Sequence, residues 1–162
     1  ADMGPNCKLA IVGSGPLEAS LKRFYGDEND IIWLGYLANE QRRIDILRAA
    51  DGFILPSLVE GLSLSLLEAM ACGTACIATD AGADGEVLAE GAGIVLDTQR
   101  VSSQLQTILP ILRDHPEITQ LLGHKARERA LQRYTLDGNI SALERLYNEV
   151  TAEQRLMCGQ RA

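Results

Sequence analysis

The stretch Gly52-Phe-Ile-Leu-Pro-Ser-Leu-Val-Glu-Gly-Leu-Ser-Leu-Ser-Leu-Leu-Glu-Ala-Met-Ala-Cys-Gly-Thr-Ala-Cys-Ile-Ala78 changes character twice. Gly52–Leu55 is a short apolar run too brief for a helix. Pro56 opens a loop that reaches Glu60-Gly61. Ser63 or Ser65 then offers an N-cap hydroxyl for a helix that stops at Gly73, a residue suited to the left-handed position after a helix. Ala75–Ala78 is apolar again. Strand, helix and strand follow one another within one short segment, and unbroken apolar strands of this kind are those of parallel sheets, buried on both faces.

The same rhythm extends outward. Leu9–Val12, Ile31–Leu34 and Gly93–Leu96 are further apolar runs, separated by helical stretches of about ten residues, the spacing of βαβ units. Leu17–Phe24 reads as a helix with Pro16 at its first position. Asn39 is an N-cap for Glu40–Ala50, whose apolar face is Ile44, Leu47 and Ala50. Asp84–Glu90 supplies a turn or two of helix. After Asp97 only helical segments remain, near Ser102–Arg113, Pro116–Arg133 and Leu136–Met157. The expected fold is therefore α/β, a Rossmann-like doubly wound parallel sheet with a helical C-terminal tail. Residues 1–8 read as a cloning remnant plus loop, 9–157 as the domain and 158–162 as a tail.

Two carboxylates, Glu60 and Glu68, bracket the glycine-led turn of the opening stretch. In an open parallel sheet such a strand-to-helix junction lies at the carboxyl edge, where ligands bind. Carboxylates accept from the hydroxyls of a polyhydroxylated ligand, and the N–H groups of a helix start suit phosphates. The segment reads as a cradle for a sugar nucleotide.

Bulk properties narrow the partners. The chain has 162 residues, enough for one domain with a real core. A formal net charge of −7 argues against nucleic acid or an anionic membrane as the main partner, since both need a basic surface. No apolar run approaches a membrane span and nothing resembles a secretory signal, which points to a cytoplasmic location, peripheral to the membrane at most in a longer protein. The four cysteines, Cys7, Cys72, Cys76 and Cys158, lack metal-site spacing and are expected to be buried free thiols. No metal and no cofactor beyond the donor substrate are expected. Arg127, Arg129 and Arg133 read as a solvated helix face, His115 as a helix start and His124 as a surface residue.

Taken in order, Ile11-Val-Gly-Ser-Gly-Pro-Leu17, Ile32-Trp-Leu-Gly-Tyr-Leu37, Leu47-Arg-Ala-Ala-Asp51, Pro56-Ser57, Glu60-Gly-Leu-Ser-Leu-Ser-Leu-Leu-Glu-Ala-Met-Ala-Cys-Gly73, Ile77-Ala-Thr-Asp80 and Glu86-Val-Leu88 form a set. That set resembles the C-terminal, donor-binding domain of GT4-family retaining glycosyltransferases, the "group 1" enzymes of GT-B fold, from about Leu9 to Val150. The resemblance implies that Glu68 accepts from the ribose hydroxyls and that Glu60 lies beside the donor sugar and the reacting centre. It implies that the backbone from Gly61 through Leu62, Ser63 and Leu64 to Ser65 touches sugar hydroxyls and the diphosphate. Main chain at Tyr36 and Leu37 would meet the base, and Gly13 and Gly15 would line the same cleft. The partners implied are a nucleotide-sugar donor and, through an N-terminal domain missing here, a glycan or lipid-linked acceptor.

Two departures stand out. The family opens this domain with a further strand and helix carrying an arginine and a lysine that clamp the diphosphate, and this sequence begins after that unit. The chain is therefore expected to bind donor weakly, to transfer no sugar alone, and to self-associate through an uncovered sheet edge. The turn reads Glu-Gly-Leu-Ser where Glu-Gly-Phe-Gly is commoner, and Ala81-Gly-Ala-Asp-Gly85 replaces a double glycine and proline. Ser63 thus brings a hydroxyl that bears on which sugar is held.

Other readings stand beside these. Ser65-Leu-Leu-Glu68 is also a capping box, in which Glu68 only returns a hydrogen bond to the helix start. Gly13-Ser-Gly-Pro16 is also a plain strand-to-helix turn. A nucleotide-sugar 2-epimerase shares the architecture, though not the glutamate motif in this context, and a non-catalytic scaffold module could keep the fold. A generic dinucleotide-binding domain fits poorly, because Gly13-Ser-Gly-Pro-Leu17 is not Gly-x-Gly-x-x-Gly.

Overall fold

A computed structural model of the chain describes residues 7–26 and 28–159, with side chains as far as Ala152. Most of the segment read as a cloning remnant, the last residues of the tail and the Cys158 side chain lie outside the described residues. Among the described residues five strands alternate with helices in chain order: β1 (Leu9–Val12), α1 (Glu18–Tyr25), β2 (Ile31–Gly35), α2 (Glu40–Ala49), β3 (Gly52–Leu55), α3 (Leu64–Cys72), β4 (Ala75–Thr79), α4 (Asp84–Val87) and β5 (Ile94–Leu96). A 3-10 turn at Ala89–Gly91 precedes β5. Three helices close the chain: α5 (Val101–Asp114), α6 (Pro116–Arg133) and α7 (Leu136–Gly159). This is the α/β, Rossmann-like arrangement expected, with a helical C-terminal region, and all strand pairs are parallel.

The local signals act where the sequence puts them. The Asn39 side chain accepts from the Arg42 amide at 2.9 Å and starts α2. Gly73 ends α3 at φ 80°, ψ 22°, a conformation that costs glycine nothing. Pro116 occupies the first turn of α6. Pro16 does not do the same for α1, which begins at Glu18. The Glu18 amide donates to the Gly15 carbonyl at 3.0 Å, so Pro16 sits in the turn just before the helix, where its fixed φ is equally at home.

The sheet differs from a single continuous one. β1 pairs with β2 (Leu9 opposite Ile31, Ile11 opposite Trp33), and β3, β4 and β5 form a separate hydrogen-bonded group in that order. β1 and β3 therefore each have one strand neighbour. Burial follows pairing. β4, with a strand on each side, is buried at every residue, whereas Leu9, Ala10 and Val12 of β1 are exposed. An apolar run predicts a strand buried on both faces only when neighbouring layers are present to cover it. Around β1 they are not present among the described residues: α1 has no buried residue, and Phe24 of α1 is 77% exposed.

The core lies at the other end, between α3, β4 and α6. Leu66, Ala69 and Met70 of α3 pack with Cys76 and Ala78 of β4, Val87 and Leu88 after it, and Ala126 and Ala130 of α6. α6 approaches closely because its contact positions are small; a Cβ at Gly123 would overlap the Gly73 carbonyl. Burial pushes the Cys76 thiol up to about 12, with Cys72 adding to the rise, so it stays protonated and donates to the Thr74 carbonyl at 3.2 Å. Cys7 and Cys72 are only half-buried, because one lies just before the exposed β1 and the other at the rim of α3.

Arg129 overturns the expectation of a solvated arginine face. It is 7% exposed; its Nε donates to the Val87 carbonyl at 2.8 Å and its Nη2 to the Glu86 carbonyl at 3.0 Å. Its Nη1 lies 3.2 Å from Glu90, which adopts φ 60° outside glycine's usual monopoly of that region. Arg127 likewise donates to the Ala71 carbonyl at the end of α3. Arg127 and Arg133 are both exposed, as expected, Arg133 with a 3.6 Å approach to Glu90. A planar fork of donors meeting free carbonyls at a helix end explains why arginine is spent in the interior here. His115 stands at the start of α6, its ring 3.0 Å from Glu117 Oε1, and His124 is exposed, as expected. Among the described residues no helix is long and apolar enough to cross a membrane. Arg129→Met should keep the fold but lower stability by roughly 2–4 kcal/mol, read as a lower urea midpoint at unchanged slope, because two carbonyls lose a charged donor.

Candidate donor-binding site

The motif turn emerges from β3 and runs into α3. Ser63 is the N-cap of α3: its side chain accepts from the Leu66 amide at 3.4 Å and lies 3.0 Å from the Ser65 hydroxyl. This decides the standing of Glu68. A capping box needs an acidic residue three places after the cap, and that place is Leu66. Glu68 sits further along the helix, its side chain 45% exposed, and takes no part in the cap.

The turn before α3 is clamped by the loop after β4. The Ala83 amide donates to the Gly61 carbonyl at 2.8 Å, and the Ser63 amide donates to Asp84 Oδ1 at 3.1 Å. Gly82, at φ 60°, lies so close that a Cβ would overlap the Glu60 and Gly61 carbonyl oxygens. Thr79 at the end of β4 donates to the Ser57 carbonyl, fixing the start of the same loop. The consequence for ligand binding is specific. Of the amides from Gly61 to Ser65, that of Ser63 is spent on Asp84. Those of Gly61, Leu62, Leu64 and Ser65 have no protein acceptor among the described residues. Leu64 and Ser65 open α3, where the partial positive charge of the helix is concentrated.

Glu68 faces a shallow cleft between α2 and α3, lined by Glu40, Arg43, Ile44, Arg48, Ala71 and Cys72. Arg43 Nη2 lies 3.8 Å from Glu68 Oε1, and Arg43 Nη1 donates to the Leu37 carbonyl at 3.2 Å. Arg43 thus ties the loop after β2 to the carboxylate on α3. Leu37 turns its side chain inward (7% exposed) while Tyr36 projects into solvent (76% exposed), so what this segment offers a ligand is backbone and the tyrosine ring. Gly13, at φ 123°, donates its amide to the Gly35 carbonyl at 2.8 Å and joins the loop after β1 to the end of β2; space beside Gly13 and Gly15 is open. Glu60 is half-buried on the turn and does not line the Glu68 cleft.

Arg43, Gly82 and Asp84 are the residues that sequence reasoning missed. Arg43 was one charge in a polar helix. Asp84 was legible as the start of a short helix and as part of a departure from a double-glycine pattern, although an acidic residue followed by glycine just after a buried strand was there to be noticed.

A carboxyl-edge loop with free amides at a helix start, beside a cleft lined by two carboxylates and two guanidiniums, defines an α/β domain suited to an anionic, hydroxyl-bearing ligand. The chain belongs to the glycosyl transferases group 1 family, whose model matches residues 1–129. It is 30% identical to the alpha-maltose-1-phosphate synthase of Mycolicibacterium smegmatis, over 91% of this chain and 42% of that protein. Sucrose-phosphate synthase from Thermosynechococcus elongatus superposes with a TM-score of 0.77 at 26% identity, covering 92% of this chain and 40% of the other. The Anabaena HepE structure solved with UDP-glucose shares the fold at a TM-score of 0.73 and 23% identity, over 90% and 42% of the two chains. The chain therefore spans about two fifths of the length of these relatives.

Gly82→Ala should force the two loops apart at the cost of about 1–3 kcal/mol. Hydrogen exchange at the Ala83 and Ser63 amides should accelerate, and unchanged protection there would contradict the clamp.

Proposed function

We propose that this chain is the donor-binding half of a retaining glycosyltransferase that moves a sugar from a nucleotide-sugar to a glycan or lipid-linked acceptor. The observation that carries the reading is the motif turn itself, held from behind while the amides at the start of α3 have no protein acceptor among the described residues. Family membership makes sugar transfer the chemistry to which that turn belongs. The UDP-glucose bound by HepE is a donor of the class proposed.

In this reading Glu68 accepts from the ribose hydroxyls, which its release from the helix cap leaves it free to do. Arg43 keeps its carboxylate in place and joins it to the backbone at Leu37. The free amides of Leu62, Leu64 and Ser65 meet the diphosphate. Glu60 lies next to the sugar. As the anomeric C–O bond breaks, its electrons pass to the nucleoside diphosphate, and fixed N–H donors stabilise the growing charge without reorganising. The acceptor oxygen forms the new bond on the same face, and its proton goes to a phosphate oxygen of the leaving group. No side-chain acid is required to expel a leaving group this stable.

Calorimetric titration with UDP, GDP, ADP and their sugars tests the assignment. Glu68→Ala should weaken every nucleotide alike by about 1–3 kcal/mol through lost ribose hydrogen bonds. Glu60→Ala should leave plain nucleotides unaffected and weaken the nucleotide-sugars. The 162 residues by themselves should bind donor weakly and transfer nothing. Wild-type affinity of the Glu68→Ala variant for nucleotide would remove the ribose role, and sugar transfer by the isolated chain would overturn the division of labour.

A further inference from the structure

Asp84 has no place in the site as the motif describes it, yet it is the most thoroughly buried charged side chain near the turn. Its relative exposure is 0%, and it opens the short helix α4 after the fully buried strand β4. Oδ1 accepts the Ser63 amide at 3.1 Å, while Oδ2 is sealed from solvent with no hydrogen-bond partner among the described residues. Leaving a buried carboxylate oxygen unpaired is costly, and such atoms in a folded protein call for an explanation. Space-filling would be served better by an apolar residue.

We propose that Asp84 is a positioning residue for diphosphate recognition, a role that rests on the donor-binding reading above. By taking the Ser63 amide it fixes the peptide that precedes α3, and with the Ala83-to-Gly61 hydrogen bond it holds both ends of the Gly61–Ser63 turn. The neighbouring amides of Leu62, Leu64 and Ser65 are thereby left to the ligand in one arrangement. The same carboxylate sets an opposing negative charge close to the first turn of α3, so it gives up some of that helix's attraction for an anion in exchange for order. The two effects separate chemically. Asparagine keeps an Oδ1 acceptor of the same shape and discards the charge; alanine discards both.

The readout is a ratio. Affinities for UDP, GDP and ADP are measured against uridine, guanosine and adenosine for the wild-type chain, Asp84→Ala and Asp84→Asn. For the base that binds, the diphosphate advantage should fall about tenfold or more in Asp84→Ala, with nucleoside affinity held, because only the phosphate-facing amides lose their support. In Asp84→Asn that advantage should equal or exceed the wild type. A merely structural role would lower nucleoside and diphosphate binding together and leave the ratio unchanged, and that result in Asp84→Ala overturns the proposal. Should Asp84→Ala fail to fold, Asp84→Asn decides: a diphosphate advantage below wild type overturns the proposal and one at or above it supports it. A wild-type chain that binds none of the six compounds would instead sink the donor-binding reading itself.

Discussion

The site depends on one contact between loops: the turn after β3 has its shape because the loop after β4 is moulded against its back. Two hydrogen bonds and one glycine make that contact. The glycine is needed because the backbones approach more closely than any side chain allows, and the hydrogen bonds fix which amides are spent and which are left. The second loop is itself tied at both ends. The Asp80 amide donates to the Leu96 carbonyl of β5, and Arg129 of α6 holds the carbonyls of Glu86 and Val87. A helix far along the chain therefore braces the turn through α4. The buried arginine and the buried aspartate are two stages of the same support.

This arrangement makes physical sense of a division within the domain. The part that must hold its geometry is the part with the densest packing, α3 against β4 and α6, with a strand on either side of β4. The β1–α1–β2 part carries little buried surface, and Arg43 links the loop that follows it, at Leu37, toward Glu68 on α3. In the proposed reading, preorganised donors stabilise developing charge only if they do not move as the charge appears, so rigidity around the start of α3 would matter more than rigidity around β1.

Asp84 and Glu68 also show how differently two carboxylates can be used. One is buried and engaged with backbone; the other is nearly half exposed, free of the helix cap, and approached by a guanidinium at 3.8 Å. A sequence shows both as acidic residues near a glycine. Only burial and hydrogen bonding distinguish a residue that shapes the site from one that can face a ligand.

The sequence by itself determined the strands, the helices and the parallel α/β order, because apolar runs, Asn39 and Gly73 act locally through backbone propensity and capping. It also determined the family, since the glutamate motif is a continuous segment. The choice between Ser63 and Ser65 as the cap needed coordinates, and with it the exclusion of Glu68 from a capping box. So did the burial of Arg129, the separation of the sheet into two pieces and the grip of Asp84 on Ser63. Each of those depends on which groups from distant parts of the chain arrive within hydrogen-bonding or packing distance. Local periodicity carries no information about that, and only the folded arrangement brings Asp84 to an amide 21 positions away.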